Sequence, residues 1–232
     1  MNSTPLSTCG ALARLAALIF DLDGTLAETE ELHRLAFNGA FAEAGLNLRW
    51  EPSVYRPLLD VTGGKRRIVH FFEQAGLPIP DELASALHSA KNRHYGELVA
   101  RGAAVHRPGV LDLLGRARAK GLRLAIATTT SRVNLDALLA ASPMPAFDVL
   151  VSANDVSELK PHPAAYLVAL ERLGLAPAEA LAFEDSENGL RAAVAAGLRT
   201  IVTPAAYTVG GDFRAATEVR ENLTAFDLGR WD

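Results

Sequence analysis

The sequence has little of several features that would place a protein in a special class. It has one cysteine, Cys9, so an internal disulfide is impossible and the composition fits a reducing compartment. Its 23 basic and 27 acidic residues leave a formal net charge of -4, which favours neither nucleic acid nor an anionic membrane as the main partner. No apolar run approaches the length of a transmembrane span. We therefore expect a cytoplasmic protein that binds no nucleic acid and no membrane.

The N-terminal stretch 1–15 carries no clear targeting signal. Ser, Thr and Pro dominate its first part, and Arg14 interrupts an Ala/Leu run that leads directly into the next apolar stretch. A signal peptide would have a basic start, a longer apolar run and a cleavage site ahead of the fold. We predict a loose leader in which Cys9 has no role.

Apolar strands and helices alternate over most of the chain. The run Leu18-Ile19-Phe20 is apolar on both faces, as expected of a buried parallel strand. Further strands are predicted at 122–127, 147–151, 180–183 and 199–202, separated by helices at 110–120, 133–141, 161–173 and 188–196. Such alternation predicts an α/β fold with a doubly wound, Rossmann-like parallel sheet and right-handed crossovers.

One long block interrupts this alternation. Between Glu28 and Arg101, apolar residues recur at helical spacing and no convincing strand is present. Helices are predicted at 29–41, 54–60, 67–75 and 81–101, separated by Gly and Pro breaks and by the loop 62–65. The pattern predicts a helical domain, 29–106, inserted into a core domain made of 1–28 and 107–232. The tail from Gly210 onward shows no clear pattern.

An acidic pair, Asp21 and Asp23, directly follows the first predicted strand, and Gly24 then allows a sharp turn. In open α/β sheets, ligands bind outside the carboxyl ends of the strands. Two carboxylates this close raise one pKa unless a cation intervenes, which suits a nucleophile and metal ligand beside a proton donor. Asp-x-Asp-Gly is also a common turn sequence, so this stretch alone leaves both interpretations open. A calcium-binding loop is disfavoured because no Glu follows at the required spacing.

Polar residues also follow the other predicted strands. Thr128 follows the second, Lys160 lies beyond the third, and Glu184 and Asp185 follow the fourth. Singly, Thr128 or the acidic pair could cap a helix and Lys160 could be a surface residue. Together, at one edge of a parallel sheet, they fit a phosphate ester and a divalent cation. Mg²⁺ prefers hard oxygen ligands, and a lysine and a hydroxyl can neutralise and bind a phosphoryl group.

These motifs resemble those of the haloacid dehalogenase superfamily. The matching motifs are Asp21-Leu22-Asp23-Gly24-Thr25, Thr128, Lys160 and Glu184-Asp185. The inserted helices lie where that superfamily carries a C1 cap. Within the superfamily, the stretches 25–33, 62–65, 127–131 and 184–190 are most similar to CbbY-type sugar-bisphosphate phosphatases.

The resemblance implies a role for each motif. Asp21 would be the nucleophile that forms an aspartyl-phosphate, and Asp23 the general acid and base. Thr128 and Lys160 would hold the phosphoryl group. The implied Mg²⁺ ligands are Asp21, the backbone carbonyl of Asp23, Glu184 and Asp185. The second aspartate also argues against a dehalogenase or a phosphonatase, because both lack it.

The helical block offers candidates for substrate recognition. Glu30 and His33 lie one turn apart on a predicted helix, and the resemblance supports contact with substrate hydroxyls. Lys65 and Arg66 follow a Gly-Gly turn and could grip a second phosphate, although a solvated helix face is the alternative. Thr129 joins Thr128 as a substrate-binding candidate. Three histidines lack such support and are assigned to the surface or to packing: His70, His88 and His94. Hinges are predicted at 27–28 and 107–109.

Three hypotheses for function follow. The first is a Mg²⁺-dependent phosphatase acting on a small phosphorylated sugar, for which the resemblance implies xylulose-1,5-bisphosphate or a related ketose bisphosphate. The second is a β-phosphoglucomutase-like phosphomutase with the same fold and intermediate. The third is a sugar-phosphate sensor without catalysis, which is disfavoured because the nucleophile, the acid and the lysine are all present. A monomer is expected.

Overall fold

The computed structural model describes residues 14–231, so Cys9 and most of the predicted leader lie outside the described residues. The strands are β1 (Ala17–Phe20), β2 (Ala27–Glu28), β3 (Val105–His106), β4 (Arg123–Ala127), β5 (Val149–Val151), β6 (Ala180–Glu184), β7 (Arg199–Val202) and β8 (Glu218–Val219). The α-helices are α1 (Glu30–Glu43), α2 (Pro52–Leu58), α3 (Gly64–Gln74), α4 (Asp81–Ala100), α5 (Val110–Ala119), α6 (Arg132–Ala141), α7 (Ala164–Leu173) and α8 (Glu187–Ala195). Among residues 14–231, no helix has both the length and the apolarity needed to cross a bilayer.

Six strands form one parallel sheet in the order β5-β4-β1-β6-β7-β8. This confirms the predicted doubly wound sheet and places β1 between β4 and β6. Leu18 and Phe20 point into an apolar layer shared with α5 and α6, whereas Ala17 and Ile19 point into a second layer shared with α7 and α8. Because each face of β1 meets helices, the strand is apolar at every position.

The helices α1 to α4 all lie between β2 and β3, in agreement with the predicted helical block. The two short strands pair antiparallel, with Ala27 opposite His106 and Glu28 opposite Val105. The block has its own apolar cluster, centred on Phe37, Phe41 and Trp50. The chain thus enters and leaves the block through one narrow ribbon, which we call the hinge ribbon (27–28 and 105–106), although bending at 27–28 and at 107–109 stays a prediction. The domain boundaries themselves stay a prediction.

Some element boundaries differ from those predicted. Pro52, which the sequence offers as the opening residue of the helix predicted near 54–60, begins α2, since proline is well suited to the first helical position, and the helix ends at Leu58 rather than at 60. Helix α3 begins at Gly64, inside the predicted loop. Helix α7 begins at Ala164 rather than at 161. Pro161 and Pro163 disfavour the helical conformation at the residues before them. Residues 160–163 therefore form a loop that precedes the helix.

The C-terminal tail, which showed no sequence pattern, completes the core. It adds β8 beside β7 and buries Leu223, Phe226, Leu228 and Trp231 in the same apolar layer as Phe183. It also crosses the base of the hinge ribbon closely: a Cβ added at Gly109 would lie 2.1 Å from a tail carbonyl carbon. The tail is therefore packed on the core, and its burial supports the segment through which the helical block is attached.

Candidate active site

The strand order brings the predicted motifs together. Asp21 follows β1, Thr128 follows β4, and Glu184 ends β6, which are three adjacent strands of the parallel sheet. Lys160 arrives from the loop before α7. With the exception of Glu184, which is fully buried beneath it, the predicted catalytic and metal-binding residues line one cavity of about 370 Å³ between the sheet edge and the helical block.

The residues that cap α6 and α8 are not the predicted site residues. Helix α6 begins after Ser131, so Thr128 is not its N-cap. Helix α8 is capped by Ser186, whose hydroxyl accepts a hydrogen bond from the Gly189 amide. Neither Thr128 nor the pair of acids before Ser186 is needed to cap a helix, so capping does not explain their presence at the sheet edge.

Lys160 is a buried cation between acids. Its side chain is 4% exposed, and its ammonium donates to Asp21 Oδ1 at 2.5 Å and to Glu184 Oε1 at 2.6 Å. Burial opposes the charge, but the two carboxylates outweigh that cost and raise the pKa of Lys160. The hydroxyl of Tyr166 donates to the same Glu184 oxygen at 2.6 Å. Lys160 is therefore a fixed positive charge beside Asp21.

The acids at this edge fit a divalent cation. Ligand oxygens of Asp21, Glu184 and Asp185 lie within 4.8 Å of one another. Burial, opposed by Lys160 and reinforced by Glu184 and Asp23, raises the pKa of Asp21 to about 8. Burial and the neighbouring acids also raise the pKa of Asp185 well above its ordinary value. A divalent cation would neutralise this repulsion, and an all-oxygen donor set suits Mg²⁺.

The backbone is shaped to bring these oxygens close. Gly24 has a φ of 81°, a conformation that favours glycine. A Cβ at this position would lie 2.3 Å from Asp185 Oδ2. The turn after β1 can therefore approach the acids of β6 only because residue 24 has no side chain.

Asp23 has a different environment from Asp21. Thr29 donates to its Oδ1 at 2.6 Å, His33 Nε2 lies 3.0 Å from the same oxygen, and the Thr130 hydroxyl donates to Oδ2. Burial alone would raise the pKa of Asp23, but the adjacent His33 ring, its hydrogen bond and the two hydroxyls hold that pKa well below its usual range. Its carboxylate lies outside the acidic cluster, so only its backbone carbonyl remains for a metal. The surroundings of the two aspartates thus shift their pKa values in opposite directions, up for Asp21 and down for Asp23.

Lys91 is a site residue that the sequence reasoning missed. Its Nζ lies 2.8 Å from His33 Nδ1, and it is 4% exposed. Burial lowers the pKa of Lys91 to about 8. An ammonium can only donate, so charged Lys91 leaves the His33 proton on Nε2, where it faces Asp23. No local motif surrounds Lys91 in the sequence, and only the fold reveals this contact across 58 positions of the chain.

The predicted recognition residues all reach the cavity. Those that line it are Glu30, His33, Lys65, Arg66 and Thr129. Both ring nitrogens of His33 are occupied by Asp23 and Lys91, so His33 contacts Asp23 and has no ring nitrogen left for a sugar hydroxyl. Lys65 forms an ion pair with Asp81 at 2.7 Å. Among residues 14–231, Arg66 makes no ion pair, and it is the more available of the two cations.

His88 also lines the cavity, although the sequence assigned it to the surface or to packing. Burial, together with the charges of Lys91 and Lys65, lowers its pKa to about 4. His88 is therefore a neutral hydrogen-bonding group on the helical side. Its imidazole also lies 2.8 Å from where a Cβ at Gly64 would stand, so it packs against the start of α3.

Comparison with known proteins identifies the family. A sequence profile of the haloacid dehalogenase-like hydrolases matches residues 15–197. The chain is a haloacid dehalogenase-like hydrolase. Protein CbbY of Rhodobacter capsulatus is 53% identical to this hydrolase over 206 residues, which cover 87% of this chain and 91% of that protein.

Solved structures of CbbY from Rhodobacter sphaeroides have the same architecture as this hydrolase. A complex with phosphate has a TM-score of 0.86 at 46% identity and covers 91% of this chain and 96% of that one. A mutant in complex with xylulose-(1,5)bisphosphate has a TM-score of 0.88 at 45% identity, covering 94% of this chain and 99% of that one. The hydrolase therefore belongs with the CbbY-like phosphatases.

Proposed function

We propose that this phosphatase hydrolyses a small sugar bisphosphate, xylulose-1,5-bisphosphate or a similar ketose bisphosphate, with Mg²⁺ as its cofactor. The observation that carries the proposal is a single cavity with two ends able to bind anions. Lys160 and Thr128 lie at the sheet edge, and Arg66 and Lys65 lie on the helical block. The xylulose-bisphosphate complex of the related CbbY supports this choice of substrate.

The chemistry begins with Asp21. Lys160 bonds its Oδ1, which leaves Oδ2 to attack phosphorus. Lys160 and Thr128 hold the phosphoryl oxygens while the bond to the sugar oxygen breaks, and Asp23 gives that oxygen its proton. Asp23 then takes a proton from water, which attacks the aspartyl-phosphate and releases phosphate. Mg²⁺ held by Asp21, Glu184, Asp185 and the Asp23 carbonyl would neutralise charge on the transferring group and on Asp21.

Asp23 must therefore gain and lose a proton although its pKa is held low. A phosphate ester in the cavity adds negative charge nearby, which raises the pKa of a carboxyl group. His33, 3.0 Å from Asp23 Oδ1, presents a proton to that oxygen, and Lys91 fixes which nitrogen carries it. Lys91 and His33, which both belong to the helical block, thus act together on Asp23.

We expect kcat/KM to fall as pH rises through about 8, the value to which burial lowers the pKa of Lys91. Titration of Lys91 does not itself cause unfolding, because this group binds more protons in the unfolded than in the folded chain between its folded pKa and the ordinary pKa of lysine. Stability therefore gains from Lys91 as pH rises through this range. Lys91→Met should lower kcat about 100-fold and remove this alkaline decline.

The matched control for Lys91 is Arg93→Met on the same helix. Arg93 is exposed and pairs with Glu43 away from the cavity, so its variant should keep the wild-type pH profile. An alkaline limb that persists in Lys91→Met would show that another group produces it. The measurement is steady-state phosphate release from pH 6 to pH 10, with circular dichroism at each pH.

The direct test of the proposed function is phosphate release from a panel of sugar monophosphates and bisphosphates, with and without Mg²⁺. We expect Mg²⁺-dependent release that strongly favours a pentulose bisphosphate. Even release across monophosphates would exclude the bisphosphate assignment and leave the mechanism intact. Conversion of glucose 1-phosphate to glucose 6-phosphate with a bisphosphate primer would favour the phosphomutase, and binding without turnover would favour the sensor.

The two-ended cavity makes a further prediction about Arg66. Arg66→Ala should raise KM for the preferred bisphosphate at least about tenfold, because a charge-assisted bond to the distal phosphate is lost. The KM for monophosphates should change little. Arg49→Ala is the control, since Arg49 is exposed on the helical block and pairs with Glu51. Equal effects of Arg66→Ala on both substrate classes would rule out the distal-phosphate role.

A further inference from the structure

The loop after β7 touches the acidic cluster. We call residues 203–211 the coupling loop. The hydroxyl of Thr208 lies 3.1 Å from Asp185 Oδ2 and accepts a hydrogen bond from the Ala205 amide at 2.8 Å. A hydroxyl has one hydrogen to donate, and the Asp185 oxygen is closer to it than the alternative acceptor, the Ala205 carbonyl at 3.4 Å. Thr208 therefore orients the carboxylate of Asp185.

The neighbouring residue of the same loop contacts the helical block. The Tyr207 hydroxyl donates to Glu31 Oε2 at 2.5 Å, and Arg34 holds Glu31 through two further hydrogen bonds of 2.6 and 2.9 Å. The Tyr207 ring also meets the Tyr55 ring edge-on at 5.7 Å. A side chain adjacent to Thr208 is thus fixed to both α1 and α2.

Arg56 of α2 holds the backbone on both sides of Thr208. Its guanidinium donates to the Ala206 carbonyl at 2.6 Å and to the Val209 carbonyl at 3.5 Å. A second link lies beside the loop, where the Asn188 side chain of α8 donates to the Asp60 carbonyl at 3.1 Å. The coupling loop, and with it Thr208, is therefore bonded to the helical block on both sides of residue 208.

We propose that Thr208 positions Asp185 for the divalent cation, and that Tyr207 and Arg56 couple this position to closure of the helical block over the cavity. The inference rests on the metal-dependent function proposed above. Partners that orient a metal ligand affect metal affinity strongly. Coupling between two sites is reciprocal, so closure strengthens cation binding, and the bound cation in turn favours closure.

The test is Mg²⁺ binding to the full-length protein by isothermal titration calorimetry, without substrate. Thr208→Val should lower the affinity at least about tenfold, and Thr208→Ser should restore it. Tyr207→Phe removes only the hydroxyl that bonds Glu31 and should lower the affinity about fivefold. Arg214→Gln is the control, because Arg214 is exposed and pairs with Asp212 just beyond the coupling loop. Its affinity should equal that of the wild type.

Each outcome separates the steps of the proposal. Wild-type affinity in Thr208→Val would overturn the positioning role. If Thr208→Val lowers the Mg²⁺ affinity and Tyr207→Phe leaves it unchanged, the coupling to the helical block is overturned. Tyr207→Phe is a mild change at a half-buried residue, so it tests the coupling even if Thr208→Val folds poorly. A wild-type protein that binds no Mg²⁺ would instead contradict the metal-dependent function itself.

Discussion

Asp21→Asn is expected to lower phosphate release by at least about 10⁴-fold, because the amide cannot attack phosphorus as a carboxylate does. The fold should survive this change. Lys160 keeps its 2.6 Å hydrogen bond to Glu184, and one of three crowded acids becomes neutral. We therefore expect a melting temperature equal to or above that of the wild type when Mg²⁺ is absent.

Acid-quench trapping provides the matching readout for Asp21. Wild-type protein mixed with substrate should yield an acid-stable phosphoprotein, and Asp21→Asn should not. Asp148→Asn is the control, since Asp148 pairs with Arg118 at 2.8 Å away from the cavity. Turnover of Asp21→Asn within tenfold of the wild type would exclude Asp21 as the nucleophile.

Lys160→Met should have the largest effect on stability. It leaves Asp21 and Glu184, both buried, without the ammonium that bonds each of them. Removing one partner of a buried ion pair costs about 3–5 kcal/mol. The free energy of unfolding in urea at pH 7.5 should fall by about this amount, and phosphate release should be lost as well.

The pH dependence of the Lys160 effect has a definite sign. The buried carboxyls of Asp21 and Asp185, whose pKa values are raised, bind more protons in the folded than in the unfolded state, so the variant loses stability as pH rises above about 4. Its deficit should shrink at pH 5, and Mg²⁺ should reduce it at pH 7.5. Lys65→Met is the control, because its ion pair with Asp81 is exposed and such pairs contribute about 1 kcal/mol or less. A deficit for Lys160→Met as small as that of the control would contradict the buried-charge argument.

Much of the candidate site was predictable because a polar residue directly after a parallel strand has a known location in the fold. A residue placed just after a strand lies at the same sheet edge as every other such residue. Asp21, Thr128 and Glu184 could therefore be grouped from their positions alone, and adjacency of β4, β1 and β6 brings them together. Lys160 lies farther along, in the loop between β5 and α7, which starts from the same sheet edge, and 139 positions separate it from Asp21.

Other parts of the site have no local signature. Lys91 is one lysine on a cap helix, Tyr166 one tyrosine on α7, and Thr208 one threonine in a loop. Only a tertiary contact shows that each belongs to the site. Lys91 contacts His33, Tyr166 contacts Glu184, and Thr208 contacts Asp185. The burial of the C-terminal tail could not be predicted either, because short segments buried against an existing core need no periodic pattern of their own.

The sequence by itself determined the α/β alternation, the helical insertion and the acidic and basic groups at the strand ends. These depend on local periodicity and on the regular geometry of a parallel sheet. A monomeric state and a cytoplasmic location stay predictions. Only the tertiary structure decided that His33 contacts Asp23, that Lys91 contacts the other nitrogen of the His33 ring and that a loop joins Asp185 to the helical block. Those relations depend on side chains from distant segments meeting in a buried space, where a hydrogen bond or charge sets the pKa and orientation of its neighbour.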